Sequence, residues 1–416
     1  MNYKPLTCIL FLIGLLLIAQ SASSLETTVP EPFRGYDADS KYTIKYDDLT
    51  ALLRTVVVDT GRSNREKAAP SQAATGTRMK VSVKRLTVNE ANRFYYETFE
   101  DNEEGRKLLR DIQESLERVP DDAPLKYFSR DEQLAYWLNL YNVTVLNEII
   151  DIYPKSNLKK YLTGKKSIFK KKILTVAGVP LSLDDIQFTI LRQNYDNDPL
   201  IIYGLYQGNI GGPNIRRSAY TGKDVYRALK NNAAEFINSN RGTYSKDERV
   251  FEVSVLYDRN RVYFPDFDSD LKSHLLTFLE EPERSELQAA STLEPDIDDW
   301  SVADLSGSYR DLGGSFADSR AALLDSVQST VISNNEGPGG ATLATSVGAG
   351  NSAMAASGKT LSRFEPELLV KLKEINVKRE AVNAANATVT MEELGEAPVK
   401  DASKKDDDKD QKKDQQ

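Results

Sequence analysis

A scarcity of cysteine constrains this chain before anything else does. Its 416 residues hold one cysteine, Cys8, and one histidine, His274. Cys8 lies in an apolar run, Leu6 to Ala19, that follows Met-Asn-Tyr-Lys4 and leads into Gln-Ser-Ala-Ser-Ser24. One positive charge, a short apolar stretch and a small-residue exit mark a secretory signal, expected over 1–24. The run has 14 residues, against the roughly 20 that span a bilayer, so no transmembrane segment is expected after cleavage. Cys8 precedes most of the run, the wrong place for a lipid-modified cysteine at a cleavage site. The mature chain is expected to be exported, periplasmic or secreted, and free of cysteine. No disulfide then holds the fold, and stability has to come from a core.

The same counts restrict chemistry. With no thiol and one imidazole, thiol nucleophiles, zinc sites built on Cys and His, and catalysis needing two histidines are excluded. The formal net charge of -8 becomes more negative when Lys4 leaves with the signal. A negative field argues against nucleic acid as a partner. No cofactor motif stands out: Gly164-Lys-Lys-Ser167 lacks the first glycine of a phosphate loop, because Lys159 stands there.

Composition divides the remainder. Residues 25–41 read as a polar leader, 42–280 as one globular domain, and 281–416 as a low-complexity, mostly disordered tail. Beyond Glu280 the aromatics are Trp300, Tyr309, Phe316 and Phe364, too few to bury much area. Gly337 to Gly358 reads as a linker and Asp401 to Gln416 as a charged end. Phe364, Leu368, Leu372 and Ile375 predict an amphipathic helix over 361–378 that docks on the core or on a partner.

Within the domain, helices are predicted over 47–58, around Leu108 to Val119, and from the capping box Ser129-Arg-Asp-Glu132 to Ile152. Met79 to Leu86 alternates like a strand. Hairpins are predicted at 172–176 with 179–183, and at 250–256 with 261–264. Asp184 to Arg192 fits a short helix, and Leu200 to Leu205 reads as a strand feeding the glycine-rich loop Gln207 to Asn214. Thr221 to Asp224 reads as a second capping box, and 271–279 as a last helix. Segregated helices and hairpin-linked strands imply α+β.

Several groups carry possible chemistry. Asn139 and Asn142, three apart on the long helix, suit a cleft lining or buried bonds to neighbouring backbone. Loop 207–214 could offer backbone amides to an anion. Asp266, Asp268 and Asp270 alternate like calcium ligands but lack the glycine and glutamate of that loop, and a strand exit and helix cap fits them better. Eight lysines between Lys155 and Lys172 form a solvated basic face or a strip for anionic polymers or headgroups. His274 reads as a packing or surface histidine, since no Gly-x-Ser-x-Gly elbow is present.

Five ordered blocks resemble a bacterial and plant family, domain of unknown function 547. They are Ala135-Tyr-Trp-Leu-Asn-Leu-Tyr-Asn142, Leu181 to Arg192, Asp198-Pro199, Gly212-Pro213-Asn-Ile-Arg216 and Asp266-Phe267. The resemblance spans Tyr42 to Leu279 and implies a distant papain-like or transglutaminase-like fold. It also implies Glu-His where this chain has Gln187-Phe188, and a histidine where it has Ile202. Cysteines are implied at Gln207 and Gly212. Phe188, Ile202, Gln207 and Gly212 supply neither a nucleophile nor a base. The expected function is accordingly an exported, non-catalytic binding or assembly domain, a pseudoenzyme, with an envelope polymer or a protein as partner. The competing reading is a carboxylate-dependent hydrolase or transferase acting on envelope material, drawing on Asp184, Asp185, Asp198, Asp258 or Asp266. A structural protein with a calcium or polymer site is a third.

Overall fold

The structure, a computed structural model, describes residues 28–67, 87, 90–305, 363 and 364, with helical positions Leu368, Val370, Val377 and Ala381. The chain divides into two compact units, Met1–Glu365 and Pro366–Gln416. The second is described only at those four positions. The secretory signal, the strand at 79–86, the 337–358 linker and the charged end lie outside the described residues, as does most of 361–378. Among the described residues no helix is long and apolar enough to cross a membrane.

The first unit is α+β. Helix α1 (Asp47–Val56) runs into strand β1 (Val57–Val58), which pairs antiparallel with β2 (Arg93–Phe94). Helix α2 (Glu103–Glu117) starts where the Asn102 side chain accepts the Gly105 N–H, and it buries the stripe Leu109, Ile112 and Leu116. Helix α3 (Arg130–Ile152) is buried on every side from Glu132 to Leu146, so other elements must surround it. Strands β3 (Leu174–Val176) and β4 (Val179–Leu181) form the expected hairpin around Ala177-Gly178. Helix α4 (Val225–Ile237) follows, and then β5 (Thr243–Ser245), β6 (Val250–Ser254), α5 (Val255–Arg259), α6 (Phe267–Phe278), α7 (Glu283–Ala289) and β7 (Thr292–Ile297). The largest sheet has the order β5-β6-β7, antiparallel between β5 and β6 and parallel between β6 and β7. Phe236, Phe251, Val253, Tyr257, Leu271 and Leu275 belong to the apolar cluster around it.

Five expectations are corrected. Leu200 to Leu205 is no strand: Pro199–Gly204 winds as a 3-10 helix, because Asp198 accepts the Leu200 N–H and Pro199 fixes the first turn. The second hairpin is absent because the Ser254 hydroxyl accepts the Leu256 N–H and starts α5 where a turn was expected. Thr221 bonds the Asp224 carboxylate rather than a helix N–H, so it caps nothing. The leader is not merely polar: Phe33 is buried edge-on against Trp137, 5.0 Å between ring centroids. The body also continues past Glu280 to Leu305, with Leu287, Ile297, Val302, Ala303 and Leu305 buried. Aliphatic side chains supply the buried surface of that segment, so a count of aromatics underrated it.

Candidate functional site

The long helix organises the loops through its polar side chains. Ser129 accepts the Glu132 N–H as predicted, but the Glu132 carboxylate does not reach back. It accepts instead from Ile44 N–H at 2.9 Å and Gly222 N–H at 3.2 Å. Burial pushes its pKa up, and those two donors pull it back part of the way. Asn139 donates to the Tyr220 carbonyl and accepts the Tyr220 N–H, both at 2.8 Å. Asn142 donates to the Gly204 carbonyl and accepts the Tyr206 N–H, both at 2.9 Å. A carboxamide matches a peptide group, so each asparagine replaces the strand partner that its buried loop lacks. These two motif residues are backbone clamps, and their neighbour Trp137 is core.

Loop 207–214 is held by the segment that sequence assigned to the tail. Ile210 N–H donates to the Ser301 carbonyl, Gly211 N–H to Asp299 and Gly212 N–H to Asn209. Those amides are therefore spent on carbonyls rather than offered to an anion. The buried guanidinium of Arg241, paired with Glu235, donates to the Gly212 carbonyl at 3.2 Å. A β-carbon placed on Gly212 would lie 3.3 Å from that of Gln207 and 3.1 Å from Asn209 Oδ1. The two implied cysteine positions thus adjoin each other. Pro213 is buried, and the Arg216 guanidinium lies over the Tyr220 ring at 4.6 Å.

A cleft of about 300 Å³ opens beside Gln207. Its walls are Leu162, Phe169, Val255, Leu256 and Trp300, and its polar groups come from Thr163, Ser167, Lys170, Gln207, Asp258 and Arg259. Arg259 stands between the rings of Phe169 and Phe188, at 4.3 and 5.4 Å. It donates to Asp184 at 2.6 Å, while its buried Nε has no hydrogen-bond partner. Gln187 is buried behind it, donating to Asn260 Oδ1 at 2.6 Å, with its carbonyl accepting the Tyr263 hydroxyl. Sequence reasoning missed Arg259 and Trp300, having placed one in a hairpin turn and the other in the tail.

The side chains at the implied reactive positions carry neither a nucleophile nor a base. Phe188 and Ile202 belong with the apolar cluster around the larger sheet, whereas Gln207 and Gly212 belong to the loop. His274 is stacked on Tyr203, 5.7 Å between centroids, and its Nε2 lies 2.9 Å from the Tyr203 hydroxyl. That hydroxyl is buried and 3.1 Å from Tyr257 Oη, so the imidazole meets phenols and no exposed serine. Burial lowers the His274 pKa to about 4.

The carboxylates are engaged separately. Asp184 holds Arg259, and Asp258 meets Arg261 at 3.0 Å. Asp185 holds Lys172; burial raises its pKa, but bonds from Lys172 and Ser182 carry the net shift downward. Asp198 caps its 3-10 helix and is shifted upward by burial. Asp266 precedes α6, and its N–H donates to the Asp270 carboxylate. Of the basic strip, Lys159 lies over the Trp300 ring, Lys171 meets Glu148, and Lys170 reaches the cleft.

Comparison with known proteins agrees with the motif blocks over a shorter span. No curated protein and no solved structure matches the chain. Residues 125–237 match the model of the family described as "Protein of unknown function, DUF547", a segment that takes in α3, loop 207–214 and α4.

Proposed function

We propose that this domain is a non-catalytic binding module, exported through its N-terminal signal, whose ligand occupies the cleft beside Gln207. The observation that carries this reading is the cleft lining: amide, hydroxyl, aromatic and cationic groups, with Asp258 as its one carboxylate. A glycosidase mechanism requires two carboxyl groups across the scissile bond, and acyl transfer requires a nucleophile with its base. Neither set is among the lining residues. Aromatic walls with a few placed polar groups are what a binding pocket needs to orient a ligand. Lys170 at the rim and the Arg259 edge favour an anionic segment, and Trp300 offers a flat face to a sugar ring. The ligand class we assign is a carboxylate- or phosphate-bearing envelope glycan.

Calorimetric titration of the full chain with short acidic glycans tests this reading. Lys170→Glu should weaken binding about tenfold, since it turns an attraction into a repulsion at a solvent-exposed rim. Neutral glycans binding as tightly as acidic ones would contradict the ligand class. Turnover of any envelope substrate that disappears on substitution at Gly212 would contradict the non-catalytic assignment. Fractionation of cells tests export, and retention of the chain in the cytoplasm would refute that part.

A further inference from the structure

Arg363 and Phe364 follow the 57 residues 306–362 and are buried in the first unit, at 4% and 1% exposure. The Arg363 guanidinium forks onto Asp48, Nη1 to Oδ1 at 2.6 Å and Nη2 to Oδ2 at 2.8 Å. Its Nε and Nη2 also donate to the Ser115 hydroxyl, at 2.9 and 2.6 Å, and Nη1 donates to the Lys45 carbonyl. The Arg363 carbonyl accepts the Lys45 N–H at 2.7 Å, a backbone pairing that reads no side chain. Phe364 stacks on Phe128, 5.9 Å between centroids and 21° between planes. Each guanidinium nitrogen has an acceptor in the fork geometry that arginine offers and lysine does not. A buried side chain this fully matched, reached from so far along the sequence, has the anatomy of a recognised peptide rather than of continuous core.

We propose that Asp48, Ser115, the Lys45 backbone and Phe128 form a recognition socket for an arginine followed by an aromatic residue. Residues 363–364 fill it in cis, and the same dipeptide of a second copy of this chain can fill it in trans. The intervening 57 residues reach up to about 200 Å at full extension, so chain length does not confine the segment to its own socket. Tethering supplies it at an effective concentration on the order of millimolar, so the cis form dominates in dilute solution and exchange follows when copies are concentrated. The proposal is independent of the ligand cleft.

The test uses the full chain and a fluorescent peptide of residues 359–368, followed by anisotropy. In Arg363→Ala/Phe364→Ala the socket is vacated, and the peptide should bind at least about tenfold more tightly than to the unsubstituted chain, where the tethered segment competes. Adding Asp48→Asn, or replacing the peptide arginine with lysine, should cost that gain. A folded double variant that binds no peptide, or equal binding to both chains, would overturn the proposal. If the double variant does not fold, Phe364→Ala alone decides in the same assay: tighter peptide binding supports exchange and unchanged binding refutes it. Failure of both variants to fold would show a strap that cannot leave, and would also refute it.

Discussion

Replacing His274 with phenylalanine should remove a pH dependence that one side chain imposes on the whole fold. The imidazole is stacked on Tyr203 and packed beside Phe264 and Phe278, and burial alone lowers its pKa from 6.5 to about 4. As pH falls, the unfolded chain takes up the proton near 6.5 while the folded chain resists until about 4. Stability is therefore complete above pH 6.5 and declines across that window, with no further loss below it. At about 1.4 kcal/mol per pH unit, the window corresponds to a loss of about 3 kcal/mol. Glu132 and Asp198, raised by burial, act in the opposite sense on the same axis, so the variant must be compared with the unsubstituted chain. Phenylalanine preserves the stack, and Tyr203 keeps its bond to Tyr257, so the cost near pH 7 should be about 1 kcal/mol for one hydrogen bond. Urea denaturation between pH 4 and 7 should then show the variant gaining on the original as the medium is acidified. The single histidine also gives one imidazole resonance to titrate by NMR. A midpoint near 6.5 in the folded protein, or a stability difference flat across the window, would refute the burial argument.

Three further outcomes follow from the geometry. Asn142→Ala strands the Gly204 carbonyl and the Tyr206 N–H inside the protein, and at about 1–3 kcal/mol for each buried group the loss should be about 2–5 kcal/mol by urea melt. A chain ending at Glu280 loses β7 and the backbone partners of loop 207–212, so it should show no cooperative thermal transition by circular dichroism. Gln207→Cys/Gly212→Cys should form a disulfide in air, visible as loss of two free thiols. Its β-carbon separation of 3.3 Å requires an opening of only a few tenths of an ångström to reach the usual range of about 3.5–4.5 Å.

Local signals in the sequence were good guides where a single element decided the outcome. The Ser129 cap, the α2 stripe and the β3–β4 turn follow from short-range patterns that the fold respects. Asn139 and Asn142 were legible as buried amides, though not the peptide groups that they clamp. Elements whose partners are distant escaped. The apolar run 200–205 has strand composition, yet Asp198 and Pro199 wind it, and no periodicity over six residues separates those outcomes. The segment 281–305 has a single aromatic, Trp300, and still supplies β7, because a parallel strand partner is chosen by tertiary pairing. Arg259 was hidden for a similar reason: between Asp184, Phe169 and Phe188 it is a cleft wall, and only the fold brings those four together.

Crystals of the full chain soaked with a short acidic glycan give the most direct test of a cleft that binds without reacting. An intact ligand should be ordered beside Gln207, with its acidic group toward Lys170 and Arg259 and a ring against Trp300. A cleaved product at that position, or ligand density elsewhere with the cleft vacant, would contradict the account.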